Sequence, residues 1–288
     1  MSLRVHFFMS DKQREHLLAD AVLRGAERCG YQVSSCSIGK TPKAENYDVA
    51  CFVGVKSREL FREHNSRGTH VIYFDKGYSR HKSTRAVGGW EYWRVSVDSH
   101  HPTRFIEQMS MPSDRFDALS LEVKPWRTEG KHILIAGSSA KYHAFYGLKD
   151  PTTFGKDIVR DLRAISERPL WYRPKPSWRE AVPLLKTRYS VPPETITDAL
   201  CNCWAMVTHG SNACFEALIG GIPSIVLGDA ITRPISSSAL NDVESPRLAS
   251  DDERAKILAN LAYCQWTLPE MASGKAWDTI GGMIHGTF

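Results

Sequence analysis

Apolar positions fall into short, nearly continuous runs separated by stretches of helical spacing, and the alternation occurs twice. Leu3–Phe8 is a β-type run, and Asp11–Gly30 follows with Leu17, Leu18, Ala21, Val22 and Ala26 on one side of a helix that Gly30 stops. Tyr31–Ile38 and Asp48–Val55 are the next strands, Ser57 caps a helix running to Arg67-Gly68, and His70–Phe74 is the fourth strand. Trp90–Asp98 alternates like a strand, and Met111–Arg127 has the make-up of a linker. The second series holds a strand and small-residue turn over His132–Ala140, a helix over Thr153–Glu167 and a strand over Leu170–Arg173. The segment Ala205–Asp229 then spells strand, polar turn, helix, Gly-Gly-Ile-Pro break and strand, with Ile222–Gly228 as its last strand. Helical regions over Asp251–Trp266 and Leu268–Trp277 close the series. Near-continuous apolar strands alternating with helices predict parallel sheets covered on both faces. The fold class is α/β, with two Rossmann-like domains expected at 1–120 and 121–288 and the terminal helix able to cross back.

Composition adds limits. A chain of 288 residues with 42% apolar content supports two packed cores. No apolar run approaches the ~20 residues that span a bilayer. The amino terminus runs straight into a strand without the anatomy of a signal peptide, so the expected location is the cytoplasm. The seven cysteines, Cys29, Cys36, Cys51, Cys201, Cys203, Cys214 and Cys264, have neither zinc nor redox spacing and are expected as buried reduced thiols. Charge is uneven. Residues 1–128 hold 20 Lys and Arg against 15 Asp and Glu, the remainder 17 against 17. A basic first half suits an anionic partner, although an ordinary solvated surface would show the same excess.

Candidate chemistry concentrates in the turn His209-Gly210-Ser211-Asn212, between the end of a strand and the start of a helix. Backbone N–H groups and partial positive charge at such a place suit phosphate. Glu216, one turn further in, is placed for ribose hydroxyls. Arg173 and Lys175, in Trp-Tyr-Arg-Pro-Lys-Pro just past a strand, are candidate cations for a diphosphate leaving group. Gly137-Ser138-Ser139 is a second small turn after a strand, with Lys141, Tyr142 and His143 following. The chain has no Asp-x-Asp, which points to metal-independent chemistry, and no cofactor is expected beyond the donor substrate.

The strand–His209-Gly-Ser-Asn–helix–Gly220-Gly-Ile-Pro223–strand pattern resembles the nucleotide-binding segment of GT-B glycosyltransferases, among them capsule and lipopolysaccharide sugar transferases and small phage-encoded enzymes. The tail Leu261-Ala-Tyr-Cys-Gln-Trp-Thr267, with Glu270 and Gly274-Lys-Ala-Trp277, is similar to the end of the phage type. The resemblance covers mainly Leu170–Trp277. It implies two α/β domains facing a cleft, a nucleotide-diphosphate sugar (a UDP-sugar) as donor, and donor contacts from His209, Gly210, Ser211, Asn212, Glu216, Arg173, Lys175, Gly137, Ser138 and Ser139.

Transfer to a hydroxyl needs a base. Asp75, at the end of the fourth strand, is the first candidate, Asp98 the second, and His100 or His101 the third. The stretch Lys76–Trp93 interleaves cations and aromatics, and with Arg94 it suggests an acceptor surface of Lys76, Tyr78, Arg80, Lys82, Arg85, Trp90, Tyr92 and Arg94. Cations for phosphates and rings for bases are what a DNA acceptor needs. The expected activity is therefore sugar transfer to a hydroxymethylated pyrimidine in phage DNA, in the host cytoplasm. The alternatives are a capsule or lipopolysaccharide transferase, a nucleotide-sugar epimerase, and a non-catalytic nucleotide- or DNA-binding module.

Overall fold

The computed structural model describes residues 2–38, 47–54, 58–79 and 91–286, without the side chains of Arg58 and Leu60. In chain order the strands are β1 (Arg4–Met9), β2 (Gln32–Ser37), β3 (Val49–Val53), β4 (His70–Lys76), β5 (Trp93–Val97), β6 (His132–Ala136), β7 (Leu170–Arg173), β8 (Arg188–Tyr189), β9 (Cys203–Thr208), β10 (Ser224–Val226) and β11 (Gln265–Trp266). They form two sheets in two compact units. The first unit is Met1–Arg115 with Ala259–Phe288, the second Phe116–Leu258. Residues 259–288 are thus grouped with the first unit, not with 121–258.

The first sheet has the order β11-β5-β4-β3-β1-β2. β2, β1, β3 and β4 are parallel, and β3 is buried at every position, as a strand covered on both faces must be. β2 is the polar edge. β5 runs antiparallel to β4, and β11 antiparallel to β5. The alternation over Trp90–Asp98 identifies a strand but not its direction, so the all-parallel expectation fails here. The periodicity over Asp251–Trp266 likewise misses a break: the helix ends at Ala262, and Gln265-Trp266 is the added strand. Arg115 holds this returning segment. It donates to the carbonyls of Ala262 and Gln265, pairs with Glu270 at 2.5 Å, and lies 3.8 Å over the Trp266 ring. The helices Leu268–Ala272 and Lys275–His285 complete the unit, with Trp277 Nε1 donating to the Val22 carbonyl at 2.9 Å.

The second sheet, β10-β9-β6-β7-β8, is parallel throughout its paired strands. Its core packs Ile133, Ile135, Val207 and Ile225 against Ile158 and Leu162 of the helix Pro151–Arg163. Asp150 caps that helix by accepting from Thr153 N, and Pro151 sits in its first turn, where no intrahelical N–H is lost. The Gly-Gly-Ile-Pro break serves a close approach. Lys124 N donates to the Ile219 carbonyl and Arg127 N to the Gly221 carbonyl, which brings the Pro125 carbonyl to 2.0 Å from where a Cβ on Gly221 would lie. Gly221 also has φ +69°, so both backbone shape and space demand glycine. Arg254 secures the same linker, donating to the Lys124 and Leu218 carbonyls.

All seven cysteines are free. Cys29 and Cys201 are exposed and Cys36 is half-buried, against the expectation of buried thiols. Among the described residues no helix is long and apolar enough to cross a membrane.

Candidate functional site

In the second unit the two predicted turns leave the carboxyl ends of β6 and β9, which pair directly. Thr208, the last residue of β9, ties them together. Its hydroxyl donates to the Ala136 carbonyl at 2.9 Å and accepts from Ser211 N at 3.1 Å. Ser211 Oγ accepts from Ala213 N at 3.3 Å. Ser211, Asn212 and Glu216 are half-buried, and Asn212 stands at the N-cap of the helix Ala213–Ile219, whose first turn its side chain does not cap. On the β6 side, Ser138 is buried, and Ser139 caps the helix Ala140–Tyr146 by accepting from Tyr142 N. A small hollow of about 20 Å³ lies between the turns, lined by Gly137, Ser138, His143, Phe154, Thr208 and His209. It has room for one water-sized polar group, not for a nucleotide.

His209 is the most heavily built residue here. Its Nδ1 is 3.0 Å from Tyr142 Oη. Tyr146 and Phe154 meet the ring at 5.5 and 5.9 Å between centroids, both T-shaped. Glycines on two sides leave it space. A Cβ on Gly228 would fall 2.2 Å from the ring, and one on Gly210 would fall 2.0 Å from Tyr142 Oη. Burial, then the neighbouring His143 and Arg233, push the imidazole down to about 4. His209 is therefore neutral at physiological pH and is no cation for phosphate. His143 is buried and hydrogen-bonds the Lys149 carbonyl through Nδ1 at 2.7 Å, while Lys141 is exposed.

The two predicted cations differ. Arg173, at the end of β7, is buried and donates to Ser190 Oγ at 2.9 Å and to the Glu194 carbonyl at 2.8 Å. Lys175, two residues on, is exposed.

In the first unit Asp75 stands next to last on β4, directly opposite Arg94 on β5, which is in turn opposite Gln265 on β11. Asp75 Oδ2 accepts from Arg94 Nη2 at 3.3 Å and Oδ1 from Lys76 N at 2.8 Å, and the carboxylate stays one-third exposed. Arg94 is 1% exposed. Its Nη1 donates to His101 Nδ1 and its Nη2 to His100 Nε2, both at 3.1 Å, so both rings are neutral acceptors at those atoms. Tyr78 is buried beside His101, 3.5 Å from hydroxyl to Nδ1. Gln265 Oε1 accepts from Tyr78 N and Ser79 N, and its Nε2 donates to Ser79 Oγ.

Three sequence expectations change. Asp98 is not beside Asp75. β5 is antiparallel, so its carboxyl end lies where β4 begins, about 13 Å away at the ~3.3 Å rise of a strand. There Asp98, at φ +55°, accepts from Val71 N and pairs with His70, both at 2.7 Å, which is a turn-holding role. Arg94 and Tyr78 are buried members of a polar network, not an open acceptor surface. Of the remaining acceptor candidates, Lys76 and Tyr92 are half-buried, and Arg80, Lys82, Arg85 and Trp90 lie outside the described residues. Gln265 escaped notice as a functional candidate. Its only signal was a polar residue between the apolar Cys264 and Trp266, both fully buried. Among the described residues no group of three or more His, Cys, Asp or Glu side chains is placed to hold a metal ion.

No protein-family model and no curated protein matches the chain. Among solved structures it is similar to KpsC of Thermosulfurimonas dismutans, described as a beta Kdo 2,4 transferase, with TM-score 0.56 and 14% identity over 99% of this chain and 98% of that one. The beta Kdo 2,7 transferase KpsC of the same organism gives TM-score 0.54 and 13% identity over 96% of this chain and 99% of that one. At such identities the likeness shows the fold, and that fold is the α/β architecture of GT-B glycosyltransferases, with one mixed and one parallel sheet in its two units.

Proposed function

We propose that the chain transfers a sugar from a nucleotide-diphosphate sugar, with UDP-sugars as first candidates, to an acceptor hydroxyl. The observation that carries this reading is the pairing of β6 with β9, which sets two small polar turns, Gly137–Ser139 and His209–Asn212, at adjacent carboxyl ends of a parallel sheet. Ligands of open α/β sheets bind at such ends. In this reading the turns and Glu216 hold the donor, and Lys175 meets the charge of the departing diphosphate. Arg173, two residues before it, acts by tying the end of β7 to Ser190 and Glu194. Asp75 takes the proton of the acceptor hydroxyl as its oxygen bonds the anomeric carbon and the bond from that carbon to the diphosphate oxygen breaks. The chain's own cations, with no metal or other cofactor, balance the leaving charge.

The basic first half supports a hydroxymethylated base of DNA as acceptor, and a phage enzyme acting in the host cytoplasm fits that chemistry. A capsule-type saccharide acceptor is the second reading. The burial of Arg94 and Tyr78 favours it, because both are withdrawn from any phosphate-binding surface. One experiment separates the readings. UDP-, CMP- and dTDP-sugars are incubated with DNA containing hydroxymethylcytosine or hydroxymethyluracil, with plain DNA, with a Kdo-terminated oligosaccharide, and alone, and the products are weighed by mass spectrometry. A hexose- or pentose-sized gain on modified DNA supports the first reading, and a gain on the saccharide supports the second. Isomerised donor in the acceptor-free tube identifies an epimerase. Nucleotide-sugar binding with no product in any tube leaves a binding module and overturns the proposal.

A further inference from the structure

We infer that Tyr142 is a positioning residue of the donor site: its hydroxyl donates to His209 Nδ1, which keeps the imidazole proton on Nε2 and presents that N–H to the ligand as a fixed, uncharged hydrogen-bond donor. The inference rests on the proposed donor site for its ligand, but not for the state of the ring.

The geometry supplies the first argument. Tyr142 Oη and His209 Nδ1 are 3.0 Å apart, and Tyr142 is buried at 6% exposure on the helix Ala140–Tyr146. Of the two ring nitrogens, Nδ1 is engaged, whereas Nε2 has no protein partner among the described residues, and His209 lines the hollow between the turns. The direction of the bond follows from acidity. A phenol is a far better proton donor than a neutral imidazole N–H, and an imidazole nitrogen a far better acceptor than a phenol oxygen, as their ordinary values near 10 and 6.5 reflect. With the proton of Tyr142 directed at Nδ1, the ring's own proton is confined to Nε2.

Sterics supply the second argument. Gly210 lies so close that a Cβ would strike Tyr142 Oη, and Gly228 so close that a Cβ would strike the imidazole. Tyr146 and Phe154 close on the same ring edge-to-face. A ring held this way cannot swing to exchange its two nitrogens, which is what makes a single tautomer useful to a ligand.

Charge supplies the third. The charged and titratable groups that act on His209 are His143, on the same helix as Tyr142, and Arg233, in the turn after β10, and both disfavour the imidazolium, as burial does. The ring therefore stays uncharged from pH 5.5 to 8. The acceptor it suits is an oxygen of the pyrophosphate or sugar, met by one directed N–H.

The test has two independent readouts. Imidazole nitrogen shifts are recorded by long-range proton–nitrogen NMR, with His209 assigned by its loss in His209→Gln. UDP-glucose binding, with a pyrophosphate diester that has no ionisation of its own in this range, is followed by calorimetry from pH 5.5 to 8. The expected result is an Nε2–H tautomer that does not titrate in this range, and flat affinity over the same range. Tyr142→Phe keeps the ring packing, should leave a mixture of tautomers, and should weaken UDP-glucose by about fivefold, the loss of one ordinary hydrogen bond. An Nδ1–H tautomer in the native protein, or a His209 that titrates near 6.5, overturns the inference. So does a Tyr142→Phe protein with native tautomer and native affinity. An Nε2–H tautomer in a protein that binds no nucleotide sugar upholds the state of the ring and overturns the donor-site reading instead.

Discussion

The two units solve the same problem in opposite ways. In the second, the candidate residues sit on turns that end adjacent parallel strands, and Ser211, Asn212 and Lys175 are half-buried or exposed. In the first, the candidate row Asp75–Arg94–Gln265 crosses the consecutive strands β4 and β5 and, from far along the chain, β11, each antiparallel to the next. Its charge lies inside, with Arg94 shared between one carboxylate and two neutral histidines. A buried guanidinium persists only while its partners do, because an unpaired charge in the interior costs several kcal/mol. The first unit thus devotes a buried cation to holding Asp75, whereas the second leaves Lys175 exposed at its surface.

Asp75→Asn bears hardest on that contrast. It should lower kcat by about 10²- to 10⁴-fold, the usual worth of a general base, while nucleotide-sugar affinity measured by calorimetry stays native. A matching loss of affinity would break the division of labour. Next comes Gly221→Ala, which sets a Cβ against the Pro125 carbonyl at a positive φ. It should cost the second unit about 2–4 kcal/mol in urea unfolding, as backbone strain plus overpacking. Gln265→Ala strips the Tyr78 and Ser79 N–H groups of their acceptor. A loss of about 2 kcal/mol follows for buried donors left unmade. Faster amide exchange at residues 78–79, with β6 and β9 unchanged, would assign that loss to the first unit.

Acid gives the smallest and broadest effect. Burial is the leading cause that lowers His6 and His64 in the first unit and His132, His143 and His209 in the second. Below about 6.5 the unfolded chain takes up protons that these folded histidines refuse. Their contribution to stability is therefore complete above pH 6.5 and is lost as pH falls toward the folded values, about 4 for His209. The urea midpoint should fall between pH 7 and pH 5, and exchange protection should decline in both units. A midpoint and protection that stay level from pH 7 to pH 5 would overturn the buried-histidine account.

What could be read in advance follows the same divide. Strand–turn–helix segments are local, so β6, β9 and the His209 turn stand out in the residue pattern. Pairing direction is not local. Trp90–Asp98 alternates identically whichever way β5 runs, and taking it as parallel placed Asp98 at the wrong end of the sheet. Composition was equally blind to burial, since Tyr78 and Arg94 look like surface ligands until Gln265 and the two histidines close over them. Gln265 itself was hidden by a helical periodicity that ran about one turn too far, across a strand only two residues long. Tyr142 was in view, but its purpose required the distance to His209, 67 positions away in the chain.

β11 also imposes an order on biosynthesis. The second unit is one uninterrupted segment and is complete once Leu258 has left the ribosome. The first unit starts the chain, yet its edge strand is among residues made after all of the second. Domains that fold during synthesis normally do so from the amino end. Here the amino-terminal sheet must wait, with β5 as an open edge, while 143 residues of another unit are translated and folded. An open edge strand is a template for pairing with other chains, so the interval before Gln265 and Trp266 arrive is when a nascent chain of this protein is most exposed to aggregation.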